Sequence, residues 1–197
     1  CFGIVMIIVF VASPKNWHFI LMGVLGILMC VVFIATAGYR ADRIRIWLAP
    51  EKYDDGYQTM QSLYAIGSGG FFGRGLGNSI QKMGFIPESH NDMIFSVICE
   101  ELGLFGAVLT IIMFILLIYR CTVLAINSGD RFGGLIAVGV MAHIAVQVLI
   151  NISVVTNTIP PTGVPLPFIS YGGSSIFFLL LEMGLMFAVA RQIKPGR

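Results

Sequence analysis

Charged side chains are scarce in this sequence. Of 197 residues, 11% are Asp, Glu, Lys or Arg and 57% are hydrophobic, with a mean hydropathy of +0.89. Soluble domains carry about 25% charged residues, so an ordinary soluble domain is excluded. Basic runs are missing too. The 12 Lys and Arg residues are scattered, the net charge is +2, and no aromatic-basic interleaving occurs, so nucleic acid is not an expected partner. Cysteine is sparse: Cys1, Cys30, Cys99 and Cys121 show no CxxC or Cys/His ligand spacing. They read as small packing residues, with no disulfide and no resident metal expected. A basic stretch ahead of the first apolar run, 1–12, is also absent, which makes that run a poor signal peptide. It falls short of the roughly 20 residues that a spanning helix needs. The expectation is a truncated membrane helix, and a chain forming the C-terminal part of a longer protein.

Long apolar runs are what the sequence has instead. Residues 19–38, 93–119, 132–155 and 174–191 each suit a membrane-spanning helix. A lone helix satisfies its own backbone in lipid, so the expected fold is an all-α, polytopic transmembrane bundle forming one membrane domain over 1–197. The connections differ sharply. SPKNWH is a tight turn, and the segment from Arg120 to Arg131 is short with a basic residue at each end. Residues 39–92 form a long polar loop. Residues 156–173 are uncharged and hold four prolines, which excludes a plain helix. Lys15, Arg120, Arg131, Arg191, Lys194 and Arg197 fall in the two short turns and the tail, 192–197. The positive-inside rule then puts those segments in the cytoplasm and the long loop and proline-rich loop outside.

Four groups of residues bear on chemistry. The glycine-rich stretch GSGGFFGRGLGNS (67–79) fits neither GxGxxG nor GxxxxGK[ST] and follows no parallel strand, so it is expected to be a close-packed interfacial loop rather than a nucleotide site. Arg40, Arg43 and Arg45 lead into a short amphipathic piece bearing Trp47. Two readings stay open for them: snorkelling to lipid headgroups, or holding a diphosphate with guanidinium forks. In the stretch from Gly84 to Gly103, Asp92, Ser96 and Glu100 are four apart and expected on one helical face, with Asn91 or His90 as N-cap. Glu100 and Glu101 cannot face lipid cheaply. His143, Gln147 and Asn151 repeat the same spacing on the next span. Alone each reads as interhelical glue; facing the Asp92 stripe they would line a hydrophilic cleft. Glu182, deep in the last span, is a buried partner or a cleft residue. Composition and spacing leave transporter, channel and membrane-embedded transferase open.

Three runs in order, GYQTMQSLYAIGSGGFFGRGLGNSIQK, IPESHNDMIFSVICEELG and PPTGVPLPFISYGGSS, resemble the SEDS family (shape, elongation, division and sporulation proteins; FtsW, RodA and SpoVE). The likeness is greater to FtsW and SpoVE, and it takes in all but the first residues of the chain. Thr162 departs from the pattern, since many members carry a lysine there. The resemblance implies a ten-span fold of which this chain is roughly the second half. It implies a peptidoglycan glycosyltransferase that polymerises lipid II on the outer face of the bacterial cytoplasmic membrane. Asp92 would be the catalytic carboxylate. Glu88, His90, Ser96 and Ser170 would meet substrate, and Arg40, Arg43, Arg45, Arg74 or Lys82 the diphosphate. A divalent cation, Mg or Mn, at that diphosphate is left open, and no other cofactor is implied. Implied partners are a class B penicillin-binding protein, other division proteins and membrane lipids. A lipid II flippase and a non-catalytic division scaffold remain the alternatives.

Overall fold

The computed structural model describes residues 2–12, 17, 20–21, 23–28, 38–53, 56–80 and 91–193. The helices bounded by described residues are α1 (Phe2–Ala12), α2 (Gly38–Leu48), α3 (Tyr57–Ser68), α4 (Ile94–Ile126), α5 (Arg131–Val155) and α6 (Gly173–Gln192). Residues 20–21 and 23–28 are helical as well, and the rest of the run expected to span over 19–38 lies mainly outside the described residues. No strand occurs among the described residues, and their regular structure is all helical. Among the described residues three helices, α4, α5 and α6, are long and apolar enough to cross a membrane, which makes this a multi-pass membrane protein.

The central helix is α5, which packs on α1, α4 and α6. Its start is set by Asp130, whose side chain accepts a hydrogen bond from the Gly133 N–H at 3.0 Å, the usual service of an N-cap acid to orphan backbone donors. The core runs down this helix through Ala137, Val140, Ile144, Val148 and Val155, meeting Phe95, Ala107, Phe114 and Cys121 of α4 and Leu179 and Met186 of α6. Small residues let the helix backbones approach closely where lipid supplies no hydrophobic drive between helices.

Three boundaries differ from the sequence pattern. Helix α4 continues past Arg120 to Ile126, because TVLAI stays apolar after one charge. It stops at Asn127, whose Nδ2 donates to the Val123 carbonyl at 2.8 Å. At the other end Met93 occupies the N-cap position without a side-chain cap, so neither Asn91 nor His90 serves there. Finally, 39–92 is not a plain loop: it contains α2, a 3₁₀ turn at Pro50–Lys52 and α3.

Candidate functional site

The C-terminal end of α5 gathers four segments that are remote in sequence. Asn151, fully buried, donates from Nδ2 to the Asp92 carbonyl at 2.7 Å and to the Val164 carbonyl at 2.8 Å. One amide therefore ties the turn ahead of α4 to the proline-rich segment. Four residues on, Val155 accepts from the Ser62 hydroxyl of α3 at 3.1 Å. Asn157, held at φ 55, accepts from the Trp47 indole N–H at 2.9 Å, which docks α2. Arg43, also on α2, donates to the Pro161 carbonyl at 3.2 Å. Buried carbonyls need such donors, and prolines offer no N–H of their own to make a ladder.

Glu100 answers why an acid sits inside an apolar helix. Its side chain is fully buried, accepts from the Ser79 hydroxyl and the Ile80 N–H, the latter at 3.1 Å, and lies 3.7 Å from the Arg74 guanidinium. It is a staple from α4 to the glycine-rich segment just before residues 81–90. The glycine-rich backbone is itself spliced into a break in α4. At Gly103 (φ 66, ψ −162) the helix opens, a conformation close to glycine-only. The Arg74 and Gly75 N–H groups donate to the Glu100 and Glu101 carbonyls at 3.0 and 2.9 Å, while Leu104 and Phe105 N–H groups donate to Gly70 and Phe71 carbonyls. A Cβ on Gly69 or Gly73 would overlap the α4 backbone. These glycines serve helix packing, and the Arg74 and Gly75 N–H groups are taken by α4.

The two expected polar stripes meet only in part. Asp92 is half-buried and lies in the turn before α4 rather than on it. Ser96 is buried and donates to the Met93 carbonyl at 2.7 Å. Ser170 is buried and accepts from the Leu166 N–H at 2.7 Å. Each hydroxyl thus makes a hydrogen bond to backbone. Across the stripes, Asn151 reaches Asp92. His143 instead pairs through Nδ1 with the Glu182 carboxylate of α6 at 2.8 and 2.9 Å. Gln147 is buried between them in sequence, and Glu101 is buried on α4. Arg43 and Arg45 are exposed on α2. Lys82, Glu88 and His90 and the side chain of Arg40 lie outside the described residues. Among the described residues no group of three or more His, Cys, Asp or Glu side chains stands close enough to hold a metal. Sequence reasoning missed the roles of Ser62, Ser79 and Asn157; their partners, the Val155 carbonyl, the Glu100 carboxylate and the Trp47 indole N–H, are all distant in sequence, and nothing local signals them.

Residues 1–195 match the cell cycle protein family of FtsW, RodA and SpoVE. This chain belongs to that family. Among relatives of the FtsW/RodA/SpoVE chain is stage V sporulation protein E of Bacillus subtilis, 42% identical over 96% of this chain and 52% of its own length. The probable peptidoglycan glycosyltransferase FtsW of Coxiella burnetii is 39% identical over 93% of this chain and 50% of its own. Among solved structures, a chain of a peptidoglycan synthase complex, studied for coordination of polymerization and crosslinking, superposes with TM-score 0.75 at 29% identity, covering 98% of this chain and 55% of that one. Rod shape determining protein RodA of Thermus thermophilus, in a point-mutant form, gives TM-score 0.62 at 26% identity over 99% of this chain and 49% of that one. The chain thus spans about half the length of the family members it matches.

Proposed function

We propose that the protein containing this chain is a peptidoglycan glycosyltransferase that polymerises lipid II at the outer face of the cytoplasmic membrane, with Asp92 as its general base. The observation that carries the reading is the Asn151 clamp. It brings Asp92 and the proline-rich segment, two of the three family-like motifs, to one point at the head of a spanning helix. There a lipid-linked sugar can reach the carboxylate while its tail stays in the bilayer.

The reaction asks little of the protein. The 4-hydroxyl of one disaccharide attacks the anomeric carbon of another, its proton passes to the Asp92 carboxylate, and the bond to undecaprenyl diphosphate breaks with its electrons. A single in-line displacement converts the α-linked donor into a β-linked product with one base. Cationic groups must steady the leaving diphosphate. Arg45 and Arg43 are exposed on α2, with Arg43 also bonded to the Pro161 carbonyl. Arg74 is the weaker candidate, since it turns to Glu100.

A flippase would use intramembrane acids to bind its cargo. Here Glu100 is occupied by Ser79, Ile80 and Arg74, and Glu182 by His143, which favours the polymerase. A class B penicillin-binding protein is the partner proposed with it. The test is polymerisation of purified lipid II by the full-length protein with that partner. Wild type is expected to make glycan chains, and Asp92→Asn to lose about 10²–10⁴-fold while still reaching the membrane and binding the partner. Near wild-type polymer from Asp92→Asn would remove Asp92 as base. Translocation without polymer would replace the reading by the flippase.

A further inference from the structure

The glycine-rich segment that follows α3 carries large apolar side chains that touch little of the protein. Phe71, Phe72 and Leu76 are 74%, 89% and 77% exposed. Beside them on α4, Leu104 and Phe105 are exposed as well, and the Phe105 N–H donates to the Phe71 carbonyl. The patch is therefore continuous with the lipid-facing side of a spanning helix, where Val108, Leu109, Ile112 and Met113 are also exposed.

Depth follows from α4. The helix is free of charge from Leu102 to Tyr119, about 27 Å of rise against a hydrocarbon core of about 30 Å. The segment is bonded to residues 100–105, at the edge of that uncharged stretch. Irregular backbone at such a depth is tolerated only when its polar groups find protein partners. Here they do. Gly70 and Phe71 carbonyls accept from α4, and Arg74 and Gly75 N–H groups donate to α4. Gly73 and Asn78 N–H groups donate within the segment, to Gly69 and Gly75. The one charge, Arg74, turns back toward buried Glu100 at 3.7 Å. A loop lying in water needs neither this satisfaction nor three bare apolar side chains.

We propose that residues 69–78 form a re-entrant element inserted into the bilayer edge, with Phe71, Phe72 and Leu76 immersed in phospholipid acyl chains. The proposal stands independently of the polymerase reading.

The test uses full-length protein reconstituted in phosphatidylglycerol/phosphatidylethanolamine vesicles. A spin label is placed in turn at Phe72→Cys, Leu76→Cys and, as an aqueous reference, Glu51→Cys, in a background whose accessible native cysteines are replaced. Collision with oxygen, which concentrates in hydrocarbon, is expected to dominate at 72 and 76. Collision with a water-soluble nickel chelate is expected to dominate at 51. Nickel access at 72 and 76 equal to that at 51 would make the segment an aqueous loop. Low access to both reagents would mean that protein covers the patch. Either result overturns the proposal.

Discussion

The side-chain amide of Asn151 and the main-chain carbonyl of Asp92 are 2.7 Å apart, although 59 residues separate them in sequence. The same Nδ2 holds Val164. Replacing Asn151 by Leu keeps the branched side-chain shape and removes both donors, leaving two carbonyls without this partner at a cost of about 1–3 kcal/mol each. The expected outcome is a lower unfolding temperature of the detergent-solubilised full-length protein and polymerisation reduced along with it. An unfolding temperature equal to wild type would show that the clamp contributes nothing to holding these segments.

Glu100→Gln isolates the staple. The carboxylate accepts on both oxygens, from Ser79 and Ile80, with Arg74 nearby, whereas an amide accepts on one side only. Hydrogen bonds to charged groups contribute about 1.5–3 kcal/mol, so one lost bond plus the lost charge should destabilise the protein by at least that order. Chemical denaturation of full-length protein in detergent reads it. Glu101→Gln should be milder and leave measurable polymerisation.

Gly103→Ala tests the splice. Its Cβ would lie 2.4 Å from the Gly73 nitrogen and 2.7 Å from the Phe71 carbonyl carbon, on a backbone at φ 66. The glycine-rich segment should detach, and limited proteolysis should cut it faster than in wild type. Gly184→Ala is the control: its Cβ would meet nothing within 4 Å, and an alanine in a helix is favoured by about 1 kcal/mol. Equal cleavage of Gly103→Ala and wild type would count against the splice.

Sidedness is checked by cysteine labelling of intact cells with an impermeant thiol reagent. A cysteine at Gly69 is unsuitable, since its Cβ would fall 1.9 Å from the Cys99 carbonyl oxygen. Glu51 is exposed and replaces it. A cysteine at 51 should label from outside and one at Ser128 should not. The reverse pattern would invert the proposed orientation.

The sequence by itself determined the class of this protein. Scarce charge and long apolar runs force helices, because only a helix satisfies its backbone within one segment in lipid, and α4, α5 and α6 follow from that. It also marked the residues that do not belong in lipid: Asp92, Glu100, Glu101, His143, Asn151 and Glu182. What it could not assign was their partners. Spacing places Asp92, Ser96 and Glu100 on one face, yet Ser96 bonds to the Met93 carbonyl and Glu100 reaches back to Ser79 and Ile80. His143 and Asn151 share a helical stripe, but one meets a carboxylate on α6 and the other two carbonyls near the head of α4. Helical periodicity is local, so it tells which side chains share a face. Which carbonyl, carboxylate or glycine backbone lies opposite depends on how distant segments close on one another, and only the tertiary structure decides that.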